Sequence, residues 1–106
     1  MSHEQLEVVA GLFNALSEPS RLALLQALHN GPLSVNQLMD ACEMKQANVS
    51  KHLGVLHAHR LVERRRQGAF IMYHIADPLV LALCELVCGK VERDAKCAAA
   101  LFAADT

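Results

Sequence analysis

Two short apolar helical stripes, separated by a break of only three or four residues, constrain this chain more than any other feature. Ser34 and Gln37 stand three apart at the head of a segment whose apolar side is Val35, Leu38, Met39 and Cys42. That pairing is the signature of a capping box, in which the serine and glutamine side chains satisfy backbone N–H groups that the first helical turn leaves without partners. After Cys42-Glu43-Met44 the rhythm resumes with Val49, Leu53 and Leu56. The spacing therefore predicts a short third helix, a tight turn, and a fourth helix over about residues 45–58.

The flanks supply two helices before this pair and a hairpin and helix after it. Leu6, Val9, Leu12, Phe13 and Leu16 recur at three- and four-residue steps, one apolar stripe on a first helix that carries Gly11 within it. Ser17-Glu18-Pro19-Ser20 is a stop and a restart, because proline is tolerated in a first helical turn and acids are favoured there by the macrodipole. Leu22, Leu24, Leu25 and Leu28 carry a second helix to the breaker His29-Asn30-Gly31-Pro32. Leu61-Val62 and Phe70 to Ile75 are β-prone runs around a polar stretch tipped by Gln67-Gly68, as in a hairpin. Asp77-Pro78 offers a cap and a first-turn proline to a last helix through Leu79, Leu83, Leu86 and Val87, which ends at Gly89 or runs on to Phe102. The predicted fold is mainly α with a small β-hairpin.

Composition limits what such a chain can do. At 106 residues, 53% hydrophobic, residues 1–106 are expected to form a single domain with a modest core. Three Phe, one Tyr and no Trp imply aliphatic packing and argue against an aromatic platform for single-stranded nucleic acid. No stretch reaches the ~18 apolar residues of a membrane span. The N-terminus lacks the basic region of a secretory signal. The expected address is cytoplasmic, with no membrane partner. There is no HExxH, no phosphate-binding glycine loop and no CxxC pair, so enzymatic chemistry is not expected.

The formal charge of −1 conceals a strong asymmetry. Residues 45–66 hold six basic side chains (Lys45, Lys51, Arg60, Arg64, Arg65, Arg66) and one acid, Glu63, whereas the remainder holds four basic and ten acidic residues. Cations gathered on the second helix of a helix-turn-helix and on the adjoining hairpin are the footprint of duplex DNA binding, where phosphate contacts release condensed counterions. An ordinary solvated face is the bland alternative; the position of the cations argues against it. At 3.6 residues per turn, Val49, Leu53 and Leu56 share one side of the fourth helix, Ala47, Asn48, Lys51 and Gly54 lie roughly opposite, and Gln46, Ser50 and His52 flank the boundary. Small and amide side chains at a helix start suit a major groove, where Gln and Asn bond adenine edges. The expected DNA-binding set is Gln46, Ala47, Asn48, Ser50, Lys51, His52, Arg64, Arg65, Arg66 and Gln67, with Lys51 and the three arginines on phosphates. His52, His57 and His59 are also weighed as a metal cluster, but His57 points away from the other two, which favours polar surface.

These segments resemble the ArsR/SmtB family of bacterial winged-helix repressors. The resemblance rests on Leu16-Ser17-Glu18-Pro19-Ser20-Arg21-Leu22, Leu33-Ser34-Val35-Asn36-Gln37-Leu38, Gln46-Ala47-Asn48-Val49-Ser50-Lys51-His52-Leu53, and a Gly68-containing wing before Tyr73-His74-Ile75. It covers roughly residues 6–88, in order. It implies a winged helix-turn-helix, homodimeric through its first and last helices, with two recognition helices entering successive major grooves of an inverted-repeat operator in double-stranded DNA. It also implies that a ligand or thiol event releases the DNA; none of this needs a cofactor for DNA binding itself. Three departures matter. Glu43 stands in the turn where the family commonly has Gly, so the turn either bears backbone strain or takes another conformation. A Cys-Val-Cys-like metal element is replaced by Leu33-Ser34-Val35, and no histidine follows residue 78 to build a zinc-type site on the last helix.

Sensing therefore falls to the cysteines, Cys42, Cys84, Cys88 and Cys97. Cys84 and Cys88, four apart on a predicted helix, present both thiols on one face, where they could share a soft metal or metalloid. Two thiolates are an incomplete site, and Cys97, half a turn out of phase in a continuous helix, joins them only if the helix breaks at Gly89 or the tail folds back. A thiol-directed oxidant or electrophile is the other signal this pair suits. Against these stands a wholly apolar reading, in which the cysteines pack and the dimer binds DNA constitutively. Cys42 is expected to be a packing residue.

Overall fold

The structure, a computed structural model, describes the backbone of residues 1–104 and the side chains of residues 1–100. Among the described residues there are five helices: α1 (His3–Leu16), α2 (Pro19–Ala27), α3 (Val35–Cys42), α4 (Gln46–Ala58) and α5 (Pro78–Ala104), with a short 3-10 turn at Leu28–Asn30. Three strands, β1 (Leu33–Ser34), β2 (Val62–Gln67) and β3 (Phe70–Ile75), form an antiparallel sheet in the order β1-β3-β2.

The starts of α1, α2, α3 and α5 lie where side chains satisfy bare amides, whereas α4 begins at Lys45 with no side-chain cap. Ser34 Oγ accepts from Gln37 N at 3.2 Å while Ser34 N donates to Gln37 Oε1 at 2.9 Å, which completes the capping box of α3. Ser2 and Gln5 repeat the arrangement at α1. Glu18 caps α2, its carboxylate accepting from Ser20 N and Arg21 N, with Pro19 in the first turn. Asp77 Oδ1 accepts from Leu79 N at the head of α5.

Helices α3 and α4 end on left-handed residues. Glu43 closes α3 at φ 53°, ψ 47°, and Met44 N reaches back to Met39 O. The turn thus keeps its tight geometry with a strained glutamate where glycine would be relaxed. Arg60, at φ 58°, ends α4 in a Schellman motif: Leu61 N donates to Leu56 O and Arg60 N to His57 O. The buried Leu61 that follows starts the chain into β2 against the core.

The hairpin gains a third strand that periodicity does not announce. Leu33 pairs with Tyr73 and Ser34 with Met72, which ties the start of α3 to the wing. A two-residue strand directly after Pro32 carries no alternation to detect. The core is aliphatic, built on Leu24, Leu25, Leu28, Leu38, Val49, Leu53, Leu56, Leu61 and Val62. Buried methylenes from all of α2, α3 and α4 meet there, so the turn between α3 and α4 is fixed by packing on both sides. Among the described residues no helix is long and apolar enough to cross a membrane.

Helix α5 runs unbroken through Gly89. Val80 and Leu83 pack it on the core, but Leu79, Leu86, Val87 and Val91 stand exposed, as do Leu6, Val8 and Phe13 on α1. An unbroken helix places Cys97 nine residues beyond Cys88, half a turn around and about 13 Å along. Cys97 therefore does not join the Cys84 and Cys88 pair, which corrects the three-cysteine grouping.

Candidate nucleic-acid interface

Helix α4 presents its first two turns to solvent. Gln46, Ala47, Asn48, Ser50, Lys51 and Gly54 are exposed, while Val49, Leu53 and Leu56 are buried against α2 and α3. The amphipathic stripe thus leaves a polar, small-residue ridge free along the start of the helix, the portion that meets base edges when such a helix enters a major groove.

His52 is turned the other way. It is 8% exposed, with Nδ1 3.2 Å from Arg21 Nη1 and Nε2 3.6 Å from Glu18 Oε2. Its placement with the groove-facing set is corrected: Arg21 gives Nδ1 a hydrogen-bond partner inside the fold, and the carboxylate of Glu18, the N-cap of α2, lies beside Nε2. Arg21 also donates from Nε to Ala15 O at 2.6 Å and from Nη2 to Asn14 O at 3.3 Å, at the end of α1. Glu18 and Arg21 belong to the acidic remainder of the sequence, and no charge run marks them. Their one signal is the Glu18-Pro19-Ser20-Arg21 segment, which helical periodicity assigns only a capping role.

The three histidines considered together do not converge. His57 is exposed, and the ring of His59 lies against Gly11 of α1, where an added Cβ would stand 3.4 Å from Cε1. No group of three His, Cys, Asp or Glu side chains suited to a metal exists among the described residues.

The wing carries its cations on an exposed strand. Arg64, Arg65, Arg66 and Gln67 are all exposed, and β2 pairs with β3 from Val62–Ile75 to Gln67–Phe70. Because side chains alternate along a strand, Arg64 and Arg66 share the face of buried Val62, and Arg65 shares the opposite face with Glu63 and Gln67. Glu63 lies 3.2 Å from His74 across the pair. Gly68, at φ 63°, makes the tight turn at the tip.

A second feature lies between α1, α2 and α5. Phe13, Leu16, Leu22, Leu25, Leu83, Cys84, Val87 and Cys88 are among the residues lining an open groove of about 540 Å³. Cys84 is half-buried and Cys88 exposed. Burial, and secondarily the neighbouring Cys88 thiolate, pushes the Cys84 thiol up from its ordinary value. Cys42 lies apart from this groove: its Sγ donates to Ala23 O at 3.6 Å, and burial raises its pKa as well.

A helix-turn-helix whose second helix bares its leading turns, beside a three-stranded sheet that extends an arginine-rich hairpin, defines a winged helix-turn-helix DNA-binding protein. Comparison with known proteins agrees and narrows the class. Residues 16–65 match a helix-turn-helix domain family. A transcriptional repressor SmtB homolog of Synechocystis is 40% identical over 83 residues, covering 78% of this chain and 63% of its own length. The biofilm growth-associated repressor of Xylella fastidiosa is 35% identical over 98 residues, covering 85% of this chain and 86% of its own. Among solved structures, a homodimeric winged helix-turn-helix DNA-binding domain from Mycobacterium bovis, described as a possible ArsR-family regulator, superposes with a TM-score of 0.81 at 30% identity, covering 91% of this chain and 92% of that one. The chain belongs to the ArsR/SmtB family, whose members are DNA-binding transcriptional regulators and not enzymes.

Proposed function

We propose that this chain is a homodimeric, cytoplasmic repressor that binds an inverted-repeat operator in double-stranded DNA, and that modification of Cys84 and Cys88 releases it. The observation that carries the DNA-binding half is the joint exposure of Gln46, Ala47, Asn48, Ser50 and Lys51 on α4 and of Arg64, Arg65, Arg66 and Gln67 on β2. In this reading the amide and small side chains of α4 meet base edges, and Lys51 and the wing arginines hold phosphates. Residues 1–106 act as one winged helix-turn-helix unit with α1 and α5 as the dimer contacts. The exposed Leu6, Phe13, Leu79, Leu86, Val87 and Val91 support that role, since bare apolar side chains on two neighbouring helices mark an association surface. The homodimeric state of the Mycobacterium bovis domain is further support.

The signal acts on the groove thiols. A soft metal or metalloid does not fit one chain, because Cys84 and Cys88 have no third ligand among the described residues. An oxidant or electrophile needs only the thiols. Either would add bulk or a bond beside Phe13 and Leu25, between the dimer helices and the core. The raised Cys84 thiol favours a second reading, in which the cysteines only pack and DNA binding is constitutive. The Cys84→Ser, Cys88→Ser double variant separates the two. With the sensing reading, operator binding persists in the variant but no longer weakens on treatment with a thiol oxidant or alkylating agent. A wild-type protein whose binding is unchanged by the same reagents leaves the cysteines as packing residues.

A further inference from the structure

The part-buried contact between α2 and the recognition helix has a chemistry that surface reading does not supply. Arg21 is a permanent cation with no acceptor capacity, so its Nη1–H donates and His52 Nδ1 accepts across 3.2 Å. That direction fixes the imidazole as the tautomer carrying its proton on Nε2, the nitrogen that faces Glu18 Oε2 at 3.6 Å. The other two hydrogen bonds of the same guanidinium end on Ala15 and Asn14 carbonyls. One planar side chain thus joins the last turn of α1, the first turn of α2 and the middle of α4.

We propose that Arg21 and His52 are positioning residues for DNA recognition: Arg21 holds His52 in its Nε2–H form and thereby sets the seating of α4 relative to the end of α1. His52 lies one residue from Lys51 and two from Ser50, so a shift of its ring moves the groove-facing ridge without adding or removing a cation there. Arg21 and Glu18 are the charged groups that face the ring. The inference rests on the DNA-binding reading only for its consequence; the pairing itself is testable in the free protein.

The test has two arms. Nitrogen-15 NMR of the free, full-length chain at neutral pH is expected to show His52 protonated at Nε2, with a shift of its Nδ1 resonance on Arg21→Lys. An Nδ1-protonated ring overturns the pairing whatever the chain binds. In the second arm, the duplex that wild-type protein selects from a randomised pool is compared with an unrelated duplex. His52→Asn keeps an acceptor near the Nδ1 position and is expected to bind within about twofold of wild type. His52→Gln, which places its amide near Nε2 instead, is expected to lose about tenfold on the selected duplex with an unchanged salt slope and little change on the unrelated one. A salt slope lower by about one in the His52 variants makes the residue a phosphate contact and overturns the proposal. So does wild-type selectivity in a folded His52→Gln, and so does equal loss with Asn and Gln. Failure of wild type to select any duplex counts against the DNA-binding reading and leaves the NMR arm to decide the pairing.

Discussion

Glu43 holds the turn of the helix-turn-helix in a left-handed conformation that costs an L-residue about 1–2 kcal/mol. Its side chain is exposed, so nothing but the backbone is lost on removing it. Glu43→Gly is expected to stabilise the fold by up to about 1 kcal/mol in urea denaturation, the strain relieved being partly offset by the freer unfolded chain; a destabilised variant would mean the carboxylate has a role the geometry does not show. Sequence resemblance flags this position because a glycine is missing from it. His52 is different. On the helical wheel it sits at the margin of the apolar side, and what draws it inward is Arg21, 31 residues earlier, a partner no local pattern reveals. At Cys84 burial raises the thiol pKa, so the folded state holds this proton more tightly than the unfolded state. The resulting stability is present below the ordinary thiol value of 9.0 and is lost as pH rises through the raised one. Iodoacetamide at neutral pH is therefore expected to label half-buried Cys84 more slowly than exposed Cys97, with the gap closing in denaturant. Equal rates in the native protein would contradict this placement.

At the scale of elements, helix starts are the most legible boundaries where two or three side chains write them, as at α1, α2, α3 and α5; α4 has no side-chain cap and is legible only from its apolar stripe. Ser34 with Gln37 and Asp77 with Pro78 mark α3 and α5, and the hydrogen bonds are made. Ser34→Ala is expected to cost about 1 kcal/mol in thermal or urea unfolding. A smaller loss on Gln37→Ala would agree with a box in which serine caps the more critical amide. The end of α5 was not legible. Gly89 has the residue type of a terminator, yet its neighbours Val87, Cys88, Lys90 and Val91 continue the helix on both sides, and the roughly 1 kcal/mol cost of a mid-helix glycine is borne within a 27-residue helix. Strand β1 escaped for the opposite reason. Two residues have no period, and only the finished hairpin gives them a partner. The wing itself follows its sequence closely, but strand alternation divides its arginines between two faces, so a run of three cations does not act as one patch.

For the whole molecule, the sequence asymmetry of charge becomes a surface asymmetry. The cations of residues 45–66 are exposed on α4, at its end and along the wing, while α1 and α5 bare apolar side chains. In the proposed reading the cationic surface binds phosphate and the apolar one binds a second copy. Lys51→Ala is expected to weaken binding to every duplex alike and to lower the slope of log affinity against log salt by about one. An effect confined to one base position would move Lys51 from the phosphates to the bases. The central claim, that two copies present two recognition helices to one site, is tested most directly by selecting duplexes from a randomised pool with the wild-type chain and reading the enriched sequences. The account predicts an inverted repeat, since a two-fold dimer reads the same half-site twice. Enrichment of a single half-site without a dyad, or no enrichment at all, would contradict it.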